Sequence, residues 1–365
     1  MKTLYDSDAF DRQSVGGISR YFAELIRTLR RLRLVRAIPS FLLTENQHLS
    51  EKWVFPVFSI PRGINWRYKS YYEKRINKLT SQWLIRLNIA DVFHMTFYDV
   101  SLLPFVQCPL VTTVYDMIPE LLPEHFANPT LIHPDKRAIC SRADAIICIS
   151  HNTKADLIRL FGIDASKVHV THLGIRRDWA SKMRRVLGLP DFYILFVGLR
   201  TAYKNFAPLI KSFARVNRQY PDLHLVCVGG GQLTESERET TKSYSITDRV
   251  HQISLSDAEL AWCYSHAAAF VFPSLYEGFG LPILESFMSR CPAILCDRSC
   301  FPEIAADAAH YFDPDMPESL TESILRVMRD GQYRKKITER GLKRVEDFSW
   351  NKTAVETASI YRTLI

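Results

Sequence analysis

The chain has 365 residues with 47% hydrophobic side chains, long for one globular domain and comfortable for two. Its net charge of +8 is lopsided: residues 1–175 hold 22 Lys+Arg and 16 Asp+Glu, the rest 25 and 23, so the N-terminal half suits an anionic partner. No apolar run approaches the roughly 20 residues of a membrane span, MKTLYDSDAF lacks a secretory h-region, and eight cysteines without a C-x-x-C pair read as buried free thiols, not zinc ligands or disulfides, so a cytoplasmic protein is expected.

MKTLY at 1–5 predicts a first strand. Ile18 to Arg31 predicts an amphipathic helix with Tyr21, Phe22, Leu25, Ile26 and Leu29 on its apolar side. Gly16-Gly17 lies at the junction, where backbone N–H groups can meet a phosphate; a plain turn is the ordinary reading of such a pair. Asp6-Ser7-Asp8 spells D-x-D, a metal motif elsewhere, but Asp-rich turns after strands are common, and Asp313-Pro314-Asp315 reads the same way. Residues 61–87 interleave Trp66, Tyr68, Tyr71, Tyr72 and Trp83 with basic residues. A helix of this composition can lie on an anionic membrane. It can equally turn its aromatics to the core and leave a solvated basic face. Single-stranded nucleic acid would also suit it, but no nucleic-acid motif accompanies it.

DVFHMTF at 91–97, LVTTVYDM at 110–117 and ADAIICIS at 143–150 predict strands, with His94 and Asp116 at carboxyl ends where open α/β sheets bind ligands. A strand-end Asp is also a good cap, and a lone His is more often structural. SHNTKADLIRL at 150–160 is a capped helix and KVHVTHLGI at 167–175 a strand. The boundary falls near 176–190, where polar residues and Pro190 interrupt the pattern. FYILFVG at 192–198 opens a second α/β rhythm. Arg200 and Lys204 follow it, two cations that suit a diphosphate, although exposed surface cations are the commoner outcome. LHLVCVGGG at 223–231 ends in three glycines but is no G-x-G-x-x-G fingerprint, which disfavours a dehydrogenase. AAAFVF at 267–272 is a buried strand. It runs into a loop with Gly278 and Gly280, then a helix spaced by Leu281, Leu284, Phe287 and Met288. Glu277 at the loop mouth and Glu285 one turn inside the helix are too far apart to share a proton. They suit two contacts on one long ligand, or else a helix-start acid and a surface acid.

These segments resemble the retaining glycosyltransferases of family 4, in the GT-B superfamily. FPSLYEGFGLPILESF is similar to the family's donor-sugar loop, with Glu277 and Glu285 on its E-x7-E motif. VGGISRYFAEL resembles its N-terminal donor-side loop and VGLRTAYKNF its phosphate-binding segment; ISHNTKADL, KVHVTHLGI and SCFPEIAADAAHYFDP resemble further family segments. The resemblance implies two Rossmann-like α/β domains facing across a cleft. Residues 1–178 would form the acceptor side and 179–348 the nucleotide-sugar side, with 349–365 a helix crossing back to the first domain. It implies that Arg200 and Lys204 grip the donor diphosphate. Glu277 and the backbone of Gly278, Phe279, Gly280 and Leu281 would hold the sugar, Glu285 would bind the ribose, and Gly16 and Gly17 would approach the diphosphate. The chain departs from the family at Tyr115, where a histidine often precedes the aspartate equivalent to Asp116, and at Ala306, usually glycine.

The activity implied is transfer, with retention and without metal or other cofactor, from a nucleotide sugar to a hydroxyl of a lipid-linked glycan or polysaccharide precursor. GGISRYF resembles bacterial mannosyltransferases of surface polysaccharide assembly, lipopolysaccharide or O-antigen. That puts GDP-mannose first among donors, with UDP-sugars and dTDP-rhamnose open, and fits peripheral contact with the anionic inner membrane face. A sugar-nucleotide 2-epimerase of the same fold and a non-catalytic sugar-nucleotide-binding subunit are the rival readings.

Overall fold

The computed structural model describes residues 1–12, 16–44, 46–49, 66–125 and 133–365. The chain divides into two compact units: Met1–Gly174 with Ser349–Ile365, and Ile175–Phe348.

The first unit runs β1 (Lys2–Tyr5), α1 (Asp8–Arg12), α2 (Gly17–Arg31), β2 (Arg36–Pro39), α3 (Trp66–Arg86), β3 (Val92–Met95), β4 (Leu110–Val114), α4 (Ile118–Leu121), α5 (His133–Arg142), β5 (Ala145–Cys148), α6 (His151–Phe161) and β6 (Val168–Val170). Its strands pair in the order β2-β1-β3-β4-β5-β6, all parallel. Every position of β4 (LVTTV) and β5 (AIIC) is buried, as expected where helices cover both faces of a parallel sheet. The apolar stripe of α2 lies in the core as its spacing predicts. Of the stretch 61–87, residues 61–65 and the side chains of Trp66 and Tyr68 lie outside the described residues.

The last helix, α14 (Trp350–Arg362), packs on α2 within this unit. Trp350 meets Tyr21 with ring centroids 6.1 Å apart, and Thr353 Oγ1 donates to the His172 carbonyl at 2.7 Å. The far end of α14 is tied to the sheet by Tyr361 OH, 2.5 Å from His94 Nδ1 and 2.9 Å from Tyr5 OH. His94 is therefore a core group and not a cleft residue. Its ring is fully buried, its Nε2 lies 2.9 Å from Thr113 Oγ1, and burial pushes its pKa down to about 3, leaving the imidazole neutral.

The second unit runs β7 (Tyr193–Val197), α7 (Phe206–Asn217), β8 (His224–Val228), α8 (Glu235–Ser243), β9 (Val250–Ile253), α9 (Asp257–His266), β10 (Ala269–Phe272), α10 (Leu281–Met288), β11 (Ala293–Cys296), α11 (Phe301–Ala305), β12 (His310–Phe312), α12 (Ser319–Arg329) and α13 (Gly331–Arg344). The order is β12-β11-β10-β7-β8-β9, again all parallel. The chain moves outward from β7 to one side through β8 and β9, then returns beside β7 with β10 and moves to the other side. The β7/β10 seam is thus a topological switch point, where the loops leaving the two carboxyl ends diverge and open a crevice. All eight cysteines are free, and seven are buried.

Candidate functional site at the switch point of the second sheet

The loops leaving β7 and β10 meet over this seam. The β7 loop closes in a single 3-10 turn, Ala202–Lys204, and Asn205 in left-handed conformation starts α7. The β10 loop runs from Pro273 to Gly280, which at φ +90° turns the chain into α10. Leu275 N–H donates to the Tyr203 carbonyl at 2.8 Å, stitching the loops together. Across them Lys204 Nζ lies 2.5 Å from Glu277 Oε1, with side chains only 13% and 12% exposed. The ammonium also sits 5.6 Å from the centroid of the Phe272 ring. Ser299 Oγ brackets the Glu277 backbone, accepting from its N–H at 3.2 Å and donating to its carbonyl at 2.8 Å. Sequence reasoning missed Ser299; its one signal is its place in the SCFPEI segment. Neither α7 nor α10 starts with a side-chain cap, whereas α8 and α9 open on capping boxes at Thr234 and Ser256. Oxygen-rich anions fit such uncapped starts at a sheet's carboxyl edge.

Arg200 is placed differently from Lys204. Its guanidinium donates to the carbonyls of Gly229 at 2.9 Å, Gly230 at 3.3 Å, Gly231 at 2.8 Å and Gln232 at 2.9 Å. Its Nε donates to Glu237 Oε1 at 2.9 Å, and the side chain is 3% exposed. So the two cations are not side by side facing outward: Lys204 faces Glu277 of the β10 loop, and Arg200 clamps the glycine loop after β8. That clamp needs three successive left-handed residues, Gly229, Gly230 and Gly231, with φ of +87°, +72° and +72°. A Cβ on Gly230 would stand 2.8 Å from Arg200 Nη1 and 3.0 Å from the Gly198 carbonyl.

Glu285 lies in the first turns of α10, 5% exposed, and accepts from Tyr264 OH at 3.4 Å. Phe279 and Gly280 are buried in the loop, and Gly278 is too. The Phe279 carbonyl accepts from Cys300 Sγ at 3.2 Å.

The remaining candidates belong to the first unit. Tyr115 is buried and donates through its OH to the Thr96 carbonyl at 2.5 Å. Asp116 Oδ1 accepts from Ile118 N–H at 3.0 Å, a turn that leads into α4. Gly16 and Gly17 start α2, which has no side-chain cap. Asp6 of the D-x-D triplet is spent on structure: it accepts from Asp8 N–H at 2.8 Å, Thr96 N–H at 2.8 Å and Thr96 Oγ1 at 2.5 Å. Burial lifts the pKa of Asp6 to about 7. It lines a cavity of about 370 Å³ with Asp8, Asp11, Lys74, Lys78 and Tyr98.

Two α/β units, each built on a parallel six-stranded sheet, have the architecture of the GT-B fold class. The family described as Glycosyltransferase Family 4 matches residues 15–179, and that described as Glycosyl transferases group 1 matches 180–344. O-antigen chain mannosyltransferase B of Escherichia coli is 25% identical over 301 residues, 77% of each chain. O-antigen chain mannosyltransferase RfbU of Salmonella typhimurium is 25% identical over 329 residues, 85% of this chain and 87% of its own. Among solved structures, Anabaena HepE in complex with UDP and glucose superposes with a TM-score of 0.77 at 16% identity, covering all of both chains. WaaG, a glycosyltransferase involved in lipopolysaccharide biosynthesis, does so with 0.73 at 14%, covering 99% of each. The chain belongs to the family 4 glycosyltransferases of the GT-B superfamily and is a glycosyltransferase.

Proposed function

We propose that this enzyme moves a sugar, mannose first, from a nucleoside-diphosphate sugar to a hydroxyl of a lipid-linked glycan or polysaccharide precursor. The transfer retains anomeric configuration, needs no metal and takes place at the cytoplasmic face of the inner membrane. The Lys204–Glu277 pair across the β7/β10 seam carries the reading. It holds a cation and a carboxylate, the two groups that a sugar diphosphate needs, at the sheet edge that suits such a ligand. The mannosyltransferase names of the Escherichia coli and Salmonella relatives favour GDP-mannose, and the UDP bound by HepE supports a nucleoside diphosphate.

In this scheme the donor separates the pair. Lys204 turns to the phosphate that leaves, and Glu277 accepts from sugar hydroxyls. The backbone of Gly278, Phe279, Gly280 and Leu281 lies along the sugar. Glu285 takes the ribose hydroxyls from its place beside Tyr264, and Gly16 and Gly17, at the uncapped start of α2, are an anion-contact candidate within the first unit. Arg200 holds the Gly229–Gln232 loop in shape and reaches phosphate only by exchanging those carbonyls for it. As the anomeric C–O bond to phosphate breaks, charge grows on the leaving oxygen, and Lys204 with the starts of α7 and α10 neutralises it. The acceptor oxygen attacks from the same face, and its proton passes to the departing phosphate.

Thermal shifts with GDP, UDP and dTDP test the donor: a shift with GDP alone supports mannose from GDP-mannose, and a shift with UDP or dTDP alone overturns it. Nucleoside diphosphate release that needs no acceptor and yields an epimerised sugar would establish the epimerase instead. Turnover that persists in excess EDTA is expected; loss restored by magnesium would refute the metal-free step.

A further inference from the structure

Ser299 holds a backbone conformation that the local fold does not require. Its φ is +56°, in the left-handed region that disfavours any residue but glycine. Arg33, Asn88, Asn205, Ser245, Arg290 and Ala306 also have positive φ, but each closes a helix or a 3-10 turn, where left-handed backbone is ordinary. Ser299 closes no helix and lies in the loop between β11 and α11. Strain of this kind persists only where the surroundings over-determine it. Here the surroundings are the β10 loop, since β10 and β11 pair in parallel and their loops leave the same sheet edge side by side. Ser299 Oγ takes both backbone groups of Glu277, accepting from its N–H at 3.2 Å and donating to its carbonyl at 2.8 Å. The next residue, Cys300, donates through Sγ to the Phe279 carbonyl at 3.2 Å. Burial holds that thiol well above its usual pKa, so it remains an S–H donor. Phe301 then packs on Phe272, the last residue of β10, with ring centroids 5.2 Å apart.

We propose that Ser299 is a positioning residue for sugar transfer: by pinning the two peptides that flank the Glu277 Cα, it holds the carboxylate in the orientation that meets the donor. The need arises from the site itself. Without donor, Lys204 holds the Glu277 carboxylate. Once Lys204 turns to the leaving phosphate, that restraint is gone, and only the backbone keeps the carboxylate in place. A hydroxyl offers one donor and two acceptor lone pairs, enough to serve an N–H and a carbonyl of the same residue. Glycine is the residue that this φ favours, yet it has no hydroxyl to offer. The strain at Ser299 therefore goes with a fixed Glu277. The inference rests on the reading of Glu277 as a donor-binding group, and the test separates the two.

The test compares Ser299→Ala, Ser299→Gly and Ser299→Thr in melting temperature, GDP affinity by calorimetry and GDP release from GDP-mannose. Should the thermal-shift screen select UDP or dTDP, that nucleotide and its sugar replace them. Turnover should fall roughly 10- to 100-fold in both Ser299→Ala and Ser299→Gly, the loss that a misplacement on the order of 1 Å brings. GDP affinity should stay at the parent's. Ser299→Gly should melt above Ser299→Ala, because only glycine releases the left-handed strain. Ser299→Thr keeps the hydroxyl and should keep turnover within about threefold, while melting below the parent because a branched side chain suits that conformation least. Turnover thus follows the hydroxyl and not the melting temperature. Turnover that follows melting instead, with Ser299→Thr slower than Ser299→Gly, makes Ser299 scaffold and overturns the proposal, as does a parallel loss of GDP affinity. Ser299→Ala/Glu277→Gln should be no slower than Glu277→Gln alone, since a residue that acts through Glu277 has nothing further to lose. Losses that multiply overturn the proposal. A slow Glu277→Gln beside parent-like Ser299 variants sinks this inference alone. Glu277→Gln at the parent's turnover removes Glu277 from the reaction and this inference with it.

Discussion

Replacing Glu277 by Gln keeps the shape of the side chain and removes the charge that holds Lys204 2.5 Å away. Two consequences separate. For stability, deleting one partner of a fully buried pair costs about 3–5 kcal/mol. Here each side chain keeps roughly an eighth of its surface in contact with solvent, and Lys204 can turn toward water, so a loss of about 1–2 kcal/mol is expected. For function, a group that acts on the transition state is worth roughly 100- to 1000-fold in turnover. Glu277→Gln should therefore lose turnover by about that factor while still folding. Its affinity for the free nucleoside diphosphate should hold or rise, because Lys204 no longer has a competing partner. Lys204→Ala should do the opposite to binding, weakening the diphosphate about tenfold or more. Calorimetric titration with GDP, alongside release of GDP from GDP-mannose, reads both. Turnover within threefold of the parent would remove Glu277 from the reaction. An equal loss of turnover and of GDP binding in Glu277→Gln would make it scaffold.

Gly230→Ala and Gly231→Ala form a matched pair: both residues have φ +72°, but only the first would bring a Cβ against Arg200, the second having no atom within 4 Å. Both should lose about 1–2 kcal/mol for left-handed backbone, read by urea denaturation. Only Gly230→Ala should also raise the KM for donor, by about tenfold. Matching KM values would show that the Arg200 clamp does not shape the donor site. His94 is held neutral in the fold with a pKa near 3, against an ordinary 6.5, so the unfolded chain binds the extra proton below pH 6.5. Stability is therefore complete above that pH and falls as pH drops toward 3, by about 2 kcal/mol at pH 5. The buried Asp6 and Asp11, both raised to about 7, slope the other way between pH 4 and 7, but do so equally in a His94→Gln variant. The parent should thus lose about 2 kcal/mol more than the variant between pH 7 and pH 5. Equal losses in urea midpoints would show that His94 titrates in the fold.

Much of this molecule is written locally. LVTTV, AIIC, YILFV and AFVF are buried at every position, and all but LVTTV with its two threonines are uniformly hydrophobic, because a parallel strand covered on both faces has no solvated side. The strand, glycine loop and helix around Glu277 follow from the chemistry of consecutive residues. What lies opposite a side chain is not local. Glu277 meets Lys204 across 73 residues of chain, and Arg200 reaches carbonyls 29 to 32 residues away. Only strand order could decide that the neighbouring cations of one loop would face different partners. His94 looked like a cleft residue until α14, 267 residues later, supplied Tyr361 to cover it. α3 makes the same point most sharply. Periodicity tells which residues share a face but not which way that face turns. On α3, Asn77 and Ser81 are buried with Ile85 while Tyr72, Leu79 and Trp83 stay exposed: the backbone groups of Ser40, Leu42 and Leu43 need the Asn77 and Ser81 side chains, because buried backbone groups must be paired while exposed apolar side chains need not be covered.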